Sequence, residues 1–482
     1  MNFKKAATIA AAAGALAAVS VPAMAFENEV HGTYNLKFFG SNYENGFSSA
    51  IVPTAYQDNN KANNFIEQRA RLQYIAKASD DLKLVTHFEL DTKFGGDKSG
   101  KYGVSSDAGV LDADGIMLET KHVYLDFNLG SVNLKTGIQP IKDNLKGILI
   151  DADVTGITVT GKPKTGLTLV AGFYRLGTDT SMVTTGGANP ASATSTGVNG
   201  TQTTNLNTNT SEIGHNNIDM ALLIGKYAVN KDLNIGAGYY LFSNYQNTLA
   251  TGPVTYHTFA VDADAKVGPA TVSGFVAAQV GSVGVTTTSA HRSIASYAAN
   301  LGAKLPVGPG TAHATFLYTS GDGDQSGTNT RDTEWKNCGV TTFTEGNMML
   351  LVRTGAGGTT NDRTIVGPAG AGKMGVTFLA AGYDAVLSPK LFANANVGVA
   401  FAATSEKAPA APSGVRNNNN LLGTELNAEV GYKVYDNLTA KVQAAYVILG
   451  DYYKDAASNS IASSPKSPDN PYTGRIMLSY AF

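Results

Sequence analysis

The chain has 482 residues, of which 36 are basic and 38 acidic, and charged residues make up 15%, below the ~25% of ordinary soluble proteins. So weak a balance gives no reason to expect nucleic acid or a strongly anionic surface as a partner. A single cysteine, Cys338, excludes an intrachain disulfide, a C-x-x-C-H haem attachment and a multi-cysteine metal cluster.

At the amino terminus Lys4 and Lys5 precede an apolar, alanine-rich run from Ala6 to Val21, and Ala23-Met24-Ala25 follows as an A-x-A cleavage site. This predicts a cleaved secretory signal peptide at 1–25 and a mature chain from about Phe26, hence export. Without Lys4 and Lys5 the balance is 34 basic against 38 acidic residues, a net charge of −4. No hydrophobic stretch after residue 25 approaches 18 residues, so no membrane-spanning helix follows. A large exported chain without disulfides needs another device to hold it, and closing a hydrogen-bonded sheet on itself is one.

The rest of the chain alternates with period two, the mark of strands. Over 67–77, Ala70, Leu72, Tyr74 and Ala76 share one face, and Glu67, Arg69, Arg71 and Gln73 the other. After the Ser79-Asp80-Asp81 turn, Leu84, Thr86, Phe88 and Leu90 oppose His87, Glu89 and Asp91. Val123, Leu125, Phe127 and Leu129 then oppose His122, Tyr124, Asp126 and Asn128. Similar stripes recur at 233–241, 391–401 and 438–448. The last strand reads T-G-R-I-M-L-S-Y-A-F, with Ile476, Leu478, Tyr480 and Phe482 on one face. A soluble sheet rarely ends on an exposed aromatic stripe. In a transmembrane barrel such a stripe meets lipid, with the terminal aromatic at the interface.

Spacing separates a barrel from a soluble sandwich. The strands are about ten residues long, which suits a tilted membrane crossing of ~9–11 residues. Short connections (79–81, 130–131, 162–166, 230–231, 268–269, 306–310, 388–389 and 436–437) alternate with long ones (40–64, 95–118, 140–153, 176–217, 243–255, 281–292, 320–375, 402–423 and 451–471). Short turns at one end and long loops at the other describe an outer-membrane barrel with periplasmic turns and extracellular loops. The expected fold is therefore all-β: one transmembrane antiparallel up-and-down β-barrel over 26–482. Eighteen strands are expected: 30–39, 65–77, 82–94, 119–129, 131–139, 154–161, 167–175, 218–228, 232–242, 256–267, 270–280, 293–304, 311–319, 376–386, 390–401, 424–435, 438–450 and 472–482. Sixteen is the alternative, because alternation blurs at 154–161, 218–228 and 293–304. Sixteen to eighteen strands leave an aqueous channel.

Several motifs suggest chemistry and fail their context. Gly367 to Lys373 matches most of G-x-x-x-x-G-K-[S/T], but Met374 takes the hydroxyl position and a strand follows where a helix is needed. Asp322 and Asp324 open like a calcium loop, yet the twelfth position is Thr333 and no helices flank it. They are a weak calcium candidate on a solvated acidic loop. Seven histidines (His31, His87, His122, His215, His257, His291 and His313) show no H-E-x-x-H or paired spacing, so zinc chemistry has no support. No G-x-S-x-G elbow occurs. Cys338, near Trp335, reads as a loop cysteine without assigned work.

The phase opposite the apolar stripes carries the candidate pore-lining residues: Glu67, Arg69, Arg71, His87, Glu89, Asp91, Asp126, Lys135, Asp262, Asp264, Glu425, Glu429 and Arg475. With Lys83, Lys93, Lys266, Lys433 and Lys441 of the same phase, nine cations stand against eight anions, a near balance, and segregated rings of opposite charge would order dipolar solutes and bias ions. Arg69 and Arg71, beside Glu67 and across the turn from Glu89 and Asp91, form the best local cluster for a constriction. An in-folded loop would narrow the bore, with 140–153 (Lys142, Asp143, Lys146, Asp151, Asp153) and the larger 320–375 as candidates.

With its leader, the Q-R-A-R-L-Q-Y stretch at 68–74, the G-S-V-N-L-K-T-G-I-Q segment at 130–139 and the terminal Phe482, the chain resembles Gram-negative porins over essentially its whole mature length. It is also similar to porins of metal-reducing deltaproteobacteria. The resemblance implies a homotrimer in outer-membrane lipid that passively admits ions and small hydrophilic solutes. Tyr480 and Phe482 would then serve as the signal read by the barrel assembly machinery, although Gly474 is displaced from the fullest form of that signal.

The expected function is a non-enzymatic, water-filled diffusion channel of the outer membrane, without cofactors. One alternative is a barrel sleeve around a multihaem cytochrome, which would have to supply the haem. Another, less favoured, is a barrel hydrolase, which would need an organised nucleophile or acid–base set on one rim. A plugged, energy-gated transporter is disfavoured, since the first strand starts within a few residues of Phe26.

Overall fold

The structure is a computed structural model that describes residues 27–44, 62–96, 109, 118–178, 193–197, 200–204, 217–245, 253–285, 290–323, 330–352, 364–368, 374–404, 419–453 and 469–482. The expected leader at 1–25, Asp324, and Lys373 of the glycine-rich motif lie outside the described residues.

The strands are β1 (Glu27–Ser41), β2 (Asn63–Ser79), β3 (Leu82–Lys93), β4 (Glu119–Leu129), β5 (Val132–Lys142), β6 (Asp151–Lys164), β7 (Leu167–Gly177), β8 (Ala193–Gly197), β9 (Gly200–Thr204), β10 (Ile218–Asn230), β11 (Leu233–Asn244), β12 (Val254–Val267), β13 (Ala270–Val285), β14 (Ala290–Val307), β15 (Gly310–Thr319), β16 (Arg331–Asp332), β17 (Val376–Val386), β18 (Leu391–Phe401), β19 (Leu421–Tyr435), β20 (Leu438–Leu449) and β21 (Tyr472–Ala481). Eighteen of them form a closed antiparallel barrel. The hairpin β8–β9 and the two-residue β16 stand outside the ring, within stretches read from sequence as loop. Each barrel strand pairs with its neighbours in chain order. The seam joins β1 to β21 from Thr33↔Ala481 to Ser41↔Thr473, so every barrel strand has a partner on each side. Closure lets the ladders pair internally, the condition for crossing hydrocarbon without helices. Among the described residues no helix is long and apolar enough to cross a membrane.

All eighteen expected strands form, the three with blurred alternation included, so the sixteen-strand alternative falls away. Several run longer than the apolar pattern: the expected strand 154–161 becomes Asp151–Lys164, and 293–304 becomes Ala290–Val307. The reason is physical. Alternation is imposed only where one face must be apolar, whereas the hydrogen-bonded ladder continues beyond that belt.

The turns follow the sequence cues. Gly130 opens a two-residue hairpin turn at φ 61°, a conformation that costs glycine nothing sterically and that primed hairpin turns require. A Cβ there would have nothing within 4 Å, so conformation rather than space sets the requirement. The outward face exposes the expected stripes, among them Leu72, Leu125, Val397, Val442, Ile448 and Ile476. So continuous an apolar surface is stable in lipid and not in water.

Buried apolar side chains lie inside the ring. Leu145, Ile148, Leu149 and Ile150, together with Trp335, Phe343 and the run Met348–Val352, pack against wall residues such as Tyr240, Tyr256, Phe275 and Phe378. Two long connections therefore fold inward and are held there by the barrel wall.

Candidate functional site

On β2 and β3 the inward phase forms an ionic ladder. Arg69 and Asp91 are direct cross-strand partners, as are Arg71 and Glu89. Arg69 grips Asp91 through two parallel hydrogen bonds of 2.6 Å each, the fork geometry that makes guanidinium–carboxylate pairs strong and directional. Its Nη2 also lies 3.2 Å from Glu89, which Arg71 holds through Nε. Glu67 and Glu89 are buried in this row. Across β4, Asp126 sits 3.4 Å from Lys83 and 4.0 Å from Lys135 and accepts a 2.6 Å hydrogen bond from Asn133. Tethered charges of both signs thus line one side of the inner wall.

The first in-folded loop, 143–150, is organised by Asp143. Its Oδ1 accepts the N–H groups of Leu145 and Gly147, and its Oδ2 those of Leu149 and Ile150, at 2.7–2.8 Å. Burial pushes the Asp143 carboxyl up from its ordinary range, and these four donors pull against it. The loop then reaches across the bore. Asn144 accepts from the Tyr240 hydroxyl at 2.6 Å and donates to Asp262. Lys146 meets Ser273 at 3.0 Å, Glu345 at 2.9 Å and Asp264 at 3.9 Å.

The second in-folded segment, 330–352, runs along the inner wall from β12 to β21. Gln279 donates to the Lys336 carbonyl at 2.7 Å and accepts its N–H at 2.9 Å, and Tyr256 donates to the Asn337 carbonyl at 2.9 Å. Burial alone would lower the Lys336 ammonium, but Glu334 and Asp332 around it hold it above its ordinary value. Further on, Glu425 accepts the consecutive N–H groups of Met349, Leu350 and Leu351 at 2.7, 3.0 and 2.6 Å. Beside it, buried Arg475 pairs with Glu44 and donates to the Met349 carbonyl at 3.4 Å.

The two segments also lock to each other. Trp335 donates through its indole N–H to the Ile148 carbonyl at 3.3 Å, and backbone bonds join Cys338 to Leu149, Thr342 to Gly147 and Asp151 to Val340. Gly147, at φ 86°, has no room for a Cβ, which would collide with the Thr342 carbonyl. The result is one internal shelf built from two chain segments, set against a wall of ion pairs.

No protein-family model and no curated protein matches the chain. Solved structures do. OccK9 (OpdG) of Pseudomonas aeruginosa superposes with a TM-score of 0.54 at 13% identity over 95% of this chain and 98% of its own. The Pseudomonas aeruginosa outer membrane protein OpdK gives 0.53 at 12% over 95% and 98%, and Acinetobacter baumannii OccAB2 gives 0.53 at 12% over 95% and 98%. The fold is that of these outer-membrane barrels.

Within this barrel the expected site residues separate into three groups. Glu67, Arg69, Arg71, Glu89, Asp91, Asp126 and Lys135 share the ladder of β2–β5. Asp262 and Asp264 bind the first in-folded loop. Glu425 and Arg475 pin the second, while Glu429 engages Lys441 at 3.3 Å and Gln443 at 2.5 Å. His87 stands apart, facing His122. At the seam Phe482 exchanges backbone hydrogen bonds of 2.9 and 3.0 Å with Gly32 and stacks on Tyr480 at 5.6 Å. Asp322 is buried and takes a 3.0 Å contact from Arg292, so a guanidinium already compensates that carboxylate.

Sequence reasoning missed Asn144, Tyr240, Gln279, Trp335, Glu345 and Glu44. Their partners across the bore lie 57 to 431 residues away along the chain, and no local periodicity marks a loop that turns inward. The only signal was compositional: apolar runs such as Met348–Val352 inside an otherwise polar loop.

Proposed function

We propose that this protein is a water-filled outer-membrane channel through which ions and small hydrophilic solutes diffuse passively, narrowed by its two in-folded segments. One observation carries the reading: a closed eighteen-strand ring, apolar outside, places opposed ionic groups and a two-segment shelf inside. A ring of this size exceeds what its wall side chains alone can fill. The path would run between the shelf and the Arg69–Asp91 and Arg71–Glu89 ladder, where fixed charges of both signs select by field and size. The thirteen inward residues named from sequence would act there as pore wall or shelf anchors. We assign the channel no catalytic step and no cofactor.

The same reading includes removal of residues 1–25, a homotrimer, kinship with porins of metal-reducing deltaproteobacteria, and recognition of Tyr480 and Phe482 by the assembly machinery. The sleeve around a multihaem cytochrome is the weaker alternative, because a threaded partner would have to displace a shelf held by Glu425, Asp262 and Tyr240. Planar-bilayer recording of the refolded mature protein tests the proposal. Discrete current steps with weak selectivity are expected. Well-folded protein that stays silent would exclude an open channel.

A further inference from the structure

A histidine pair on the inner wall has no part in the ladder or the shelf. His87 on β3 and His122 on β4 are direct cross-strand partners, and the register shifts immediately after His87. Their Nδ1 atoms face each other at 3.2 Å. Two zinc–nitrogen bonds of about 2.0–2.1 Å at a tetrahedral angle would place the nitrogens about 3.3 Å apart.

The geometry around the pair fixes its chemistry. His122 Nε2 lies 2.8 Å from the Asp153 carboxylate, which can only accept. In the neutral ring the proton of His122 therefore belongs on Nε2, which leaves the lone pair on Nδ1, the atom that faces His87. A carboxylate that holds the far nitrogen of an imidazole is the usual outer partner of a metal-bound histidine, orienting the ring and raising its basicity. Asp153 can reach His122 because β4 and β5 part company: their pairing ends at Val123↔Ile138, while β5 and β6 stay paired out to Lys142↔Asp151. The surrounding charges offset one another. Lys121 lies 2.7 Å from Asp153 and 3.9 Å from Glu89, and Arg71 is held by Glu89. Among the described residues no three His, Cys, Asp or Glu side chains converge as a metal-holding group. The pair thus offers two nitrogens, with the remaining positions left to water.

We infer that His87 and His122 form a two-nitrogen site for a divalent first-row transition metal on the channel wall, with Asp153 as its positioning residue. Imidazole favours copper and zinc over magnesium, and copper should bind more tightly than zinc. The site stands on its own geometry and does not require the barrel to conduct.

Binding of Cu2+, Zn2+ and Mg2+ to detergent-folded protein is measured by equilibrium dialysis, with electron paramagnetic resonance of the copper form. Expected are copper tighter than zinc, no competition from magnesium, and coupling to two nitrogens. H87N and H122N should each weaken copper binding by more than about tenfold, and D153N by about 10–100-fold. Wild-type affinity in H87N or H122N overturns the proposal. If either variant fails to fold, the wild-type protein still decides. Zn2+ should shield His87 and His122, and not the exposed His31 (54% side-chain exposure), from diethyl pyrocarbonate. Equal modification with and without zinc overturns the site.

Discussion

Glu425 holds the backbone N–H of Leu350 at 3.0 Å, and the same carboxylate takes those of Met349 and Leu351 on either side. Three consecutive donors meet a side chain that can only accept, and the second in-folded segment is fixed to β19 by that match. A glutamine amide at this position would turn an NH2 group toward N–H groups. Leaving a buried donor unsatisfied costs about 1–3 kcal/mol. E425Q is therefore expected to free the shelf while the barrel persists. Single-channel recordings should show larger or noisier current steps, with heat-dependent gel migration unchanged. Wild-type steps would show that the carboxylate is not the anchor.

Arg69 and Arg71 face Asp91 and Glu89 in a row of balanced charge. Replacing both with glutamate turns that row wholly acidic. R69E/R71E should shift the reversal potential in a salt gradient toward cation selectivity, more strongly at low ionic strength because salt screens wall charge. An unchanged potential would remove the ladder from the conduction path.

Cys338 belongs to the second in-folded segment, where its N–H donates to the Leu149 carbonyl of the first and its sulfur lies 3.4 Å from the Tyr256 hydroxyl. Burial pushes its thiol up to about 12, against the smaller pull of that hydroxyl. Only the thiolate reacts, so the folded protein should resist maleimide from pH 7 through pH 9, and labelling should appear only on unfolding. Rapid labelling of folded protein at pH 8 would mean that the shelf opens.

Phe482 completes the seam through two backbone bonds to Gly32 and a stack on Tyr480. Deleting it removes both bonds where the first and last strands must meet. Each such bond contributes about 0.5–1.5 kcal/mol. Refolding yield in detergent or lipid should fall, and the urea midpoint should drop with it. Unaltered yield and midpoint would confine Phe482 to a role outside the folded barrel.

The sequence alone determined the cylinder. Lipid demands an apolar residue at every second position, water inside permits the opposite, and hairpins demand turn residues such as Gly130 at fixed places, so barrel class and up-and-down topology were local information, while the structure decided eighteen strands over sixteen by forming the three blurred ones. Strand ends were less legible, because beyond the apolar belt nothing enforces alternation. What lies in the bore was decided by tertiary structure. Trp335 meets Ile148 across 187 positions and Asn144 meets Tyr240 across 96, pairings that no repeat announces. The phase of a strand names the side chains that point inward. The curvature of the ring, the splay of β4 from β5 and the path of two loops determine which of them touch, and it is those contacts that bring His87, His122 and Asp153 together.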